Sequence, residues 1–275
     1  MKIQSSNKLA KLIRKDVLNM AYTAKTSHIG SALSIVDILA VLYGKKILSY
    51  DAKDAKWYQR DRLILSKGHA CSALYATLCN LGYFSRDTLN SYSKDGSILM
   101  AHASHKVKGV EFSTGSLGHG LSYGAGLALS AKRKEKNWST YVICSDGELN
   151  EGSNWEAIMF ASHQKLDNLS VIIDYNKLQS LDTVANTINI EPLTAKFKAF
   201  GWHTININGH NHKDLEKSFL KFKKNKGKPT CIIANTIKGK GVSFMENKVL
   251  WHYKSPSSNE YQDALKELTN WEILS

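Results

Sequence analysis

Apolar residues recur along this chain with two different periods, and their alternation organises most of its length. From Leu9 to Tyr22 apolar side chains stand at positions 9, 12, 13, 17 and 20, the spacing of one helix face. A second apolar helix is expected from Ser34 to Tyr43, with Ser34 as its N-cap and Asp37 three positions on. The run Leu63-Ile64-Leu65 reads as a short buried strand, followed by a helix over 70–81 that Gly82 closes. A glycine-rich stretch begins at Gly115 and becomes a small-residue helix to about Arg133. In it, Gly124, Ala125, Gly126 and Ala128 permit close packing on a neighbour. Beyond Tyr141 the pattern is regular: strand 141–145, helix 152–164, strand 170–174, helix 192–200, strand 203–207, helix 213–224, strand 231–236. Alternation at this pitch predicts an α/β fold, a mostly parallel sheet with helices on both faces. An amphipathic helix over 259–268 is expected to extend toward another domain or subunit. Residues 1–275 read as a single domain, with a helical segment over about 1–60 and a C-terminal extension over about 250–275.

Chemistry enters where the apolar runs stop. The run Tyr141 to Cys144 ends in Ser145-Asp146-Gly147-Glu148, and the run Val171 to Ile173 ends in Asp174-Tyr175-Asn176. The 30 positions between Asp146 and Asn176 fit one strand–helix–strand unit. Both polar groups then fall at carboxyl ends of adjacent parallel strands, where open α/β sheets bind ligands. Two oxygen donors beside a glycine suit a hard cation held against a diphosphate.

Composition narrows the remaining classes. Hydrophobic residues make up 43% of the 275, enough for a sizeable core. No apolar run approaches a membrane span, and the first ten residues carry no apolar signal core. Cys71, Cys79, Cys144 and Cys231 form no metal-binding spacing and read as buried thiols of a reducing compartment, with the cytoplasm as the default. The net charge of +13 raises the question of nucleic acid. The lysines are dispersed, however, and their densest run, Lys221 to Lys228, sits at a helix end where cations complement the dipole. Neither nucleic acid nor membrane is therefore expected as a partner; a basic surface also attracts sugar phosphates.

Taken singly these motifs are weak: Asp-Gly after a strand is often only a turn, and a histidine after glycine can simply cap a helix. Their joint order is specific. Ser27-His28-Ile29-Gly30-Ser31, Leu65-Ser66-Lys67-Gly68-His69-Ala70 and Ser113-Thr114-Gly115-Ser116-Leu117-Gly118-His119-Gly120 are followed by Ser145-Asp146-Gly147-Glu148 and Trp155-Glu156-Ala157. Asp174-Tyr175-Asn176-Lys177-Leu178-Gln179, Lys238-Gly239-Lys240-Gly241-Val242 and Trp251-His252 complete the series. Over essentially its whole length the chain resembles the amino-terminal, diphosphate-binding half of transketolase, most nearly the split transketolases in which that half is a separate polypeptide.

The resemblance implies roles. Asp146, Asn176 and the backbone carbonyl of Leu178 would ligate Mg²⁺ or Ca²⁺ against thiamine diphosphate. Gly147 and Glu148 would lie on the diphosphate side, and Gly115, Ser116 and Leu117 would contact the aminopyrimidine ring. His69 and His252 would stand beside the diphosphate and the reacting carbon, while His28 and His102 would line the substrate channel. The motif around His102 is eroded to Ala101-His102-Ala103, and His105 is close enough in sequence to substitute for it. Ser145 replaces the first glycine of the family's Gly-Asp-Gly, and Ser180-Leu181-Asp182 replaces an expected glycine. His119 is supporting, and His163, His203, His210 and His212 read as surface or structural residues. The family's activating glutamate belongs to a pyrimidine-binding domain. A second subunit carrying that domain is therefore expected, in an α₂β₂ heterotetramer. The implied reaction transfers a two-carbon ketol unit from a ketose phosphate to an aldose. A 1-deoxyxylulose-5-phosphate-synthase-like enzyme, a transketolase for an unusual sugar, or a non-catalytic basic binding protein on the same fold are the alternatives.

Overall fold

The computed structural model describes residues 5–271. Its strands are β1 (Arg62–Leu65), β2 (Thr140–Ser145), β3 (Leu169–Tyr175), β4 (His203–Asn208) and β5 (Thr230–Asn235). They form one sheet in the order β1-β2-β3-β5-β4, and every neighbouring pair runs parallel. All the carboxyl ends therefore lie along one rim, with Ser145 of β2 in register with Asp174 of β3. Successive side chains of a strand point to opposite faces, and both faces here are apolar. Tyr141, Ile143, Ile172 and Ile232 pack into one core with helices Ser6–Ala24, Val36–Gly44, Cys71–Asn80 and His212–Lys224. Val142, Cys144, Val171, Ile173 and Ile233 pack into the other with helices His119–Arg133, Gly152–His163 and Leu193–Ala199. The expected α/β architecture, a parallel sheet between two helical layers, is the one observed. Cys71 and Cys79 belong to the first core and Cys144 and Cys231 to the second, all as free thiols. Among the described residues no helix is long and apolar enough to cross a membrane.

Three local expectations are corrected. Ser34 does not cap a helix: it ends the short helix Ile29–Ser34, and the chain breaks at Ile35 before the next helix begins. Its hydroxyl instead donates to Asp174 Oδ2 at 2.6 Å. Asp37, the expected capping partner, is buried and ion-paired with Arg14 at 2.6 Å. In the helix His119–Arg133, Gly124 is a true close-approach position, because a Cβ there would stand 2.4 Å from Val142 Cγ2. Gly126, by contrast, faces open space with nothing within 4 Å. The last helix, Ser258–Asn270, folds back on the chain's own first helix rather than outward. Tyr261 stacks on Tyr22 with ring centroids 4.2 Å apart, and Ala264 and Leu268 are buried. Residues 272–275 of the expected extension and 1–4 of the first segment lie outside the described residues.

Candidate active site

The rim of strand ends opens into a cleft of about 330 Å³ lined by His28, Lys67, His69, Leu117, Asp146, Gly147, Asn176, Leu178, Lys238 and His252, among others. Segments far apart in sequence meet here because glycines allow backbones to touch. A Cβ on Gly68 would lie 2.6 Å from the Thr114 carbonyl, so the end of β1 sits directly on the 113–118 loop.

Asp146 and Asn176 do project from adjacent strands. Asp146 Oδ1 accepts from the Gly147 N–H (2.7 Å) and Oδ2 from the Lys177 N–H (2.6 Å). Lys177 adopts a left-handed conformation (φ 65°), which turns that N–H back toward the neighbouring strand end. Asn176 Oδ1 accepts from the Leu178 N–H (3.0 Å), while its amide donates to Asp174 Oδ2 (3.1 Å). Burial, and then the nearby Asp174 carboxylate, push the Asp146 carboxyl up to about 7. A buried acid beside a second acid favours a cation. Among the described residues no three His, Cys, Asp or Glu side chains stand close enough to hold a metal by themselves. Asp146, the Asn176 amide oxygen and the Leu178 carbonyl nevertheless form an all-oxygen set that suits a hard divalent ion completed by outside ligands. Leu178 O accepts meanwhile from Lys238 Nζ at 3.2 Å, as Gln179 O does at 2.9 Å.

Four histidines gather over this floor. His28 and His69 have ring centroids 4.4 Å apart, His28 and His252 4.9 Å, His69 and His102 4.8 Å. His28 is left-handed (φ 72°) and makes no side-chain cap; its N–H donates to His252 O (2.8 Å) and its Nδ1 meets Ser27 Oγ (2.9 Å). Burial, then the neighbouring imidazoles, lower His28 to about 4, and burial with Lys238 lowers His252 to about 3. His69 is lowered too, by burial and then His102. These rings are thus neutral at physiological pH, able both to donate and to accept a proton. The Nδ1 atom of His252 is buried with no hydrogen-bond partner, as is Nε2 of Gln179. Unpaired buried polar atoms at a cleft mark where a ligand's polar groups fit.

The other expected residues fall out as follows. His102 joins the cluster, packed on Gly115, where a Cβ would come 2.9 Å from its ring. His105 is exposed and bonds Ser113 Oγ at 2.7 Å, away from the cluster. Leu117 lines the cleft, whereas Gly115 and Ser116 do not. Glu148 is fully buried beneath the floor and ties three loops together, accepting from the Ser66 hydroxyl, the Gly118 N–H (2.9 Å) and the Ser145 N–H (3.3 Å). Ser145 uses its hydroxyl to accept from the Glu148 N–H (3.1 Å), so the departure from glycine is absorbed locally. His119 is exposed at its helix start, and His163 is exposed on another helix. Two functional side chains escaped the sequence reasoning, Lys67 and Lys238, 4% and 1% exposed. Lys67 pairs with the fully buried Asp174. Burial, then repulsion from Lys67, lowers Lys238 to about 8. Lys67 is thus matched by a carboxylate, while Lys238 bonds only backbone carbonyls and brings a cation to the cleft that an anion could meet.

Comparison with known proteins agrees with this geometry. The family described as transketolase, thiamine diphosphate binding domain, matches residues 5–272. The chain is 40% identical over 256 residues to one of the named subunits of the apulose-4-phosphate transketolase of Phocaeicola vulgatus, covering 93% of this chain and 91% of the relative. It is also 40% identical over 261 residues to the 6-deoxy-6-sulfo-D-fructose transketolase subunit SqwG of a Clostridium species, covering 94% of each. Human transketolase is 35% identical over 268 residues, which is 97% of this chain but 42% of that protein. The solved transketolase of Campylobacter jejuni superposes with a TM-score of 0.89 at 30% identity, covering 98% of this chain and 44% of that one. Against the solved transketolase of Leishmania mexicana the TM-score is 0.90 at 29% identity, over 96% of this chain and 41% of the other.

Proposed function

The chain belongs to the family of transketolase thiamine-diphosphate-binding domains, and from that premise we propose that it is the coenzyme-diphosphate subunit of a two-subunit transketolase. In this reading it moves a two-carbon ketol unit from a ketose to an aldose. The observation that carries the proposal is the convergence of two strand-end oxygen donors, two buried lysines and three histidines on one cleft, with His102 packed against His69.

When bound, thiamine diphosphate supplies the electron sink for breaking and forming the carbon–carbon bond next to a carbonyl. The chain's own residues prepare that chemistry. Asp146, Asn176 and the Leu178 carbonyl would hold Mg²⁺; Lys238 would meet the diphosphate. His252 Nδ1, unpartnered and buried, would bond the bound group. His28 and His102, each packed against His69, would with it orient the hydroxyls of a sugar and carry protons to and from its oxygens. The exposed Tyr253 lines the cleft, and a pyrimidine-binding partner would complete the site. We propose an α₂β₂ assembly for that division of labour, and the four free cysteines support a cytoplasmic location. The names of the two subunit relatives favour a sugar phosphate or a modified ketose as donor.

The test is to purify the chain with a pyrimidine-domain partner and measure ketol transfer with Mg²⁺ and thiamine diphosphate. Transfer that needs both chains and the coenzyme supports the proposal, and loss of coenzyme binding in Asp146→Ala supports the site. Full turnover by this chain alone, or unaltered coenzyme affinity in Asp146→Ala, refutes the respective part.

A further inference from the structure

Behind the cleft lies a buried polar cluster that the reaction does not touch. Asp37 is 1% exposed and Arg14 0%. The Asp37 carboxylate accepts from Arg14 Nη1 (3.0 Å) and Nη2 (2.6 Å), and its oxygens stand 2.7 Å from His210 Nδ1 and 3.0 Å from His212 Nε2. Arg14 keeps the carboxylate ionised although burial opposes it. The other ring nitrogen of His210, Nε2, accepts the backbone N–H of Ile237 at 2.8 Å. That bond fixes the tautomer: the ring proton sits on Nδ1 and donates to Asp37.

The far side of the same cluster grips the same stretch of chain. Arg14 Nε donates to the Lys240 carbonyl at 3.0 Å. The segment after β5 is thus held at Ile237 by His210 and at Lys240 by Arg14, both oriented by one carboxylate. Lys238 lies between the two holds and sends its ammonium into the coenzyme cleft.

We infer that His210 is a positioning residue for coenzyme binding: fixed by Asp37, its ring holds the 237–240 segment in the register that delivers Lys238 to the diphosphate. The inference rests on the thiamine-diphosphate reading of the cleft. It assigns a purpose to a buried ionic cluster, since a buried ion pair is by itself weak evidence for stability. Such a network is suited to specifying geometry, because every member has a partner and a displaced backbone N–H would be left unpaired.

The experiment is a calorimetric titration of thiamine diphosphate, with Mg²⁺ present, into the complex of this chain with its partner subunit. His210→Leu should weaken coenzyme binding about tenfold or more, and should raise the KM for coenzyme more than it lowers kcat. His210→Gln should recover most of that loss, because an amide oxygen can accept from Ile237 while the amide N–H donates to Asp37. On a Lys238→Ala background, which is itself weakened, His210→Leu should add less than about twofold, as expected of residues acting in series. Parent-like affinity in His210→Leu, failure of Gln to do better than Leu, or a full additive loss on the Lys238→Ala background would each overturn the inference. Should the Leu variant not fold, His210→Asn, whose shorter amide cannot span Asp37 and Ile237, takes its place in the same titrations and is read by the same outcomes. A parent complex that binds no thiamine diphosphate removes the coenzyme assignment and this inference together. A binding parent with indifferent His210 variants removes the inference alone.

Discussion

Replacing Lys67 with methionine isolates the electrostatics of the cleft floor. Lys67 is 4% exposed and its partner Asp174 0%. Burial pushes the Asp174 carboxyl up, but Lys67 and the hydroxyls of Ser34 and Thr236 outweigh it and hold the group below the usual carboxylate range. Methionine keeps the length and volume of the stem while stranding a buried anion. Removing one partner of a buried pair costs about 3–5 kcal/mol, here moderated by the remaining hydroxyl donors. For a chain of this size that is a fall in melting temperature of roughly 6–20 °C. The assay is thermal and urea unfolding of Lys67→Met, Asp174→Asn and the double variant. The double variant should recover much of the single loss, because no charge is then left unpaired. The pH dependence supplies an independent arm. Without Lys67 the Asp174 carboxyl rises above its unfolded value, so its folded state is favoured at low pH and disfavoured as pH rises through the folded pKa. The deficit relative to the parent should therefore shrink as pH falls from roughly 8 to 5. A cost below about 1 kcal/mol, the value of an exposed pair, or a deficit independent of pH, would refute the reasoning.

The two glycines of one helix should respond in opposite directions. Gly124→Ala, whose Cβ would meet Val142 Cγ2 at 2.4 Å, should destabilise by about 1–3 kcal/mol, whereas Gly126→Ala should stabilise by about 0.5–1 kcal/mol; equal effects in chemical denaturation would contradict the packing described. The parent should lose stability in mild acid, because His28 and His252 are lowered to about 4 and about 3. The unfolded chain then binds protons before the folded one, so stability is full above the unfolded histidine value and declines as pH drops toward the folded values. Melting temperatures across that window should fall less steeply in a His28→Gln, His252→Gln variant than in the parent; an identical slope would rule the two rings out as its source.

Much of this was legible in the chain because strands buried on both faces are written as short apolar runs. Tyr141 to Cys144 and Val171 to Ile173 give β2 and β3 directly, and with them the places of Asp146 and Asn176. The break between the helices Ile29–Ser34 and Val36–Gly44 was not legible, since Ser34 resembles an N-cap and its actual partner, Asp174, is 140 positions away. Lys67 and Lys238 were passed over because a lysine normally means solvent. Their signal was position: each follows closely on the end of a buried strand. Glu148 reads as a cofactor contact by its place beside Asp146, yet it anchors Ser66, Gly118 and Ser145 from beneath. His210 and His212, read as surface or structural, are structural, but only folding joins them to Arg14 and Asp37. Local periodicity carries no information about such meetings.

The division of the free thiols between the two cores gives the molecule a built-in reporter. Burial raises Cys71 to about 12 and lifts Cys144 and Cys231 well above the usual thiol range. Since the thiolate is the reactive form, alkylating reagents should meet these sulfurs only when a layer opens. Mass-resolved labelling over time then separates partial from complete unfolding: modification of Cys71 ahead of Cys144 and Cys231 would reveal that the side bearing the first helix loosens first, and simultaneous modification would mark the sheet and both its coverings as one cooperative unit.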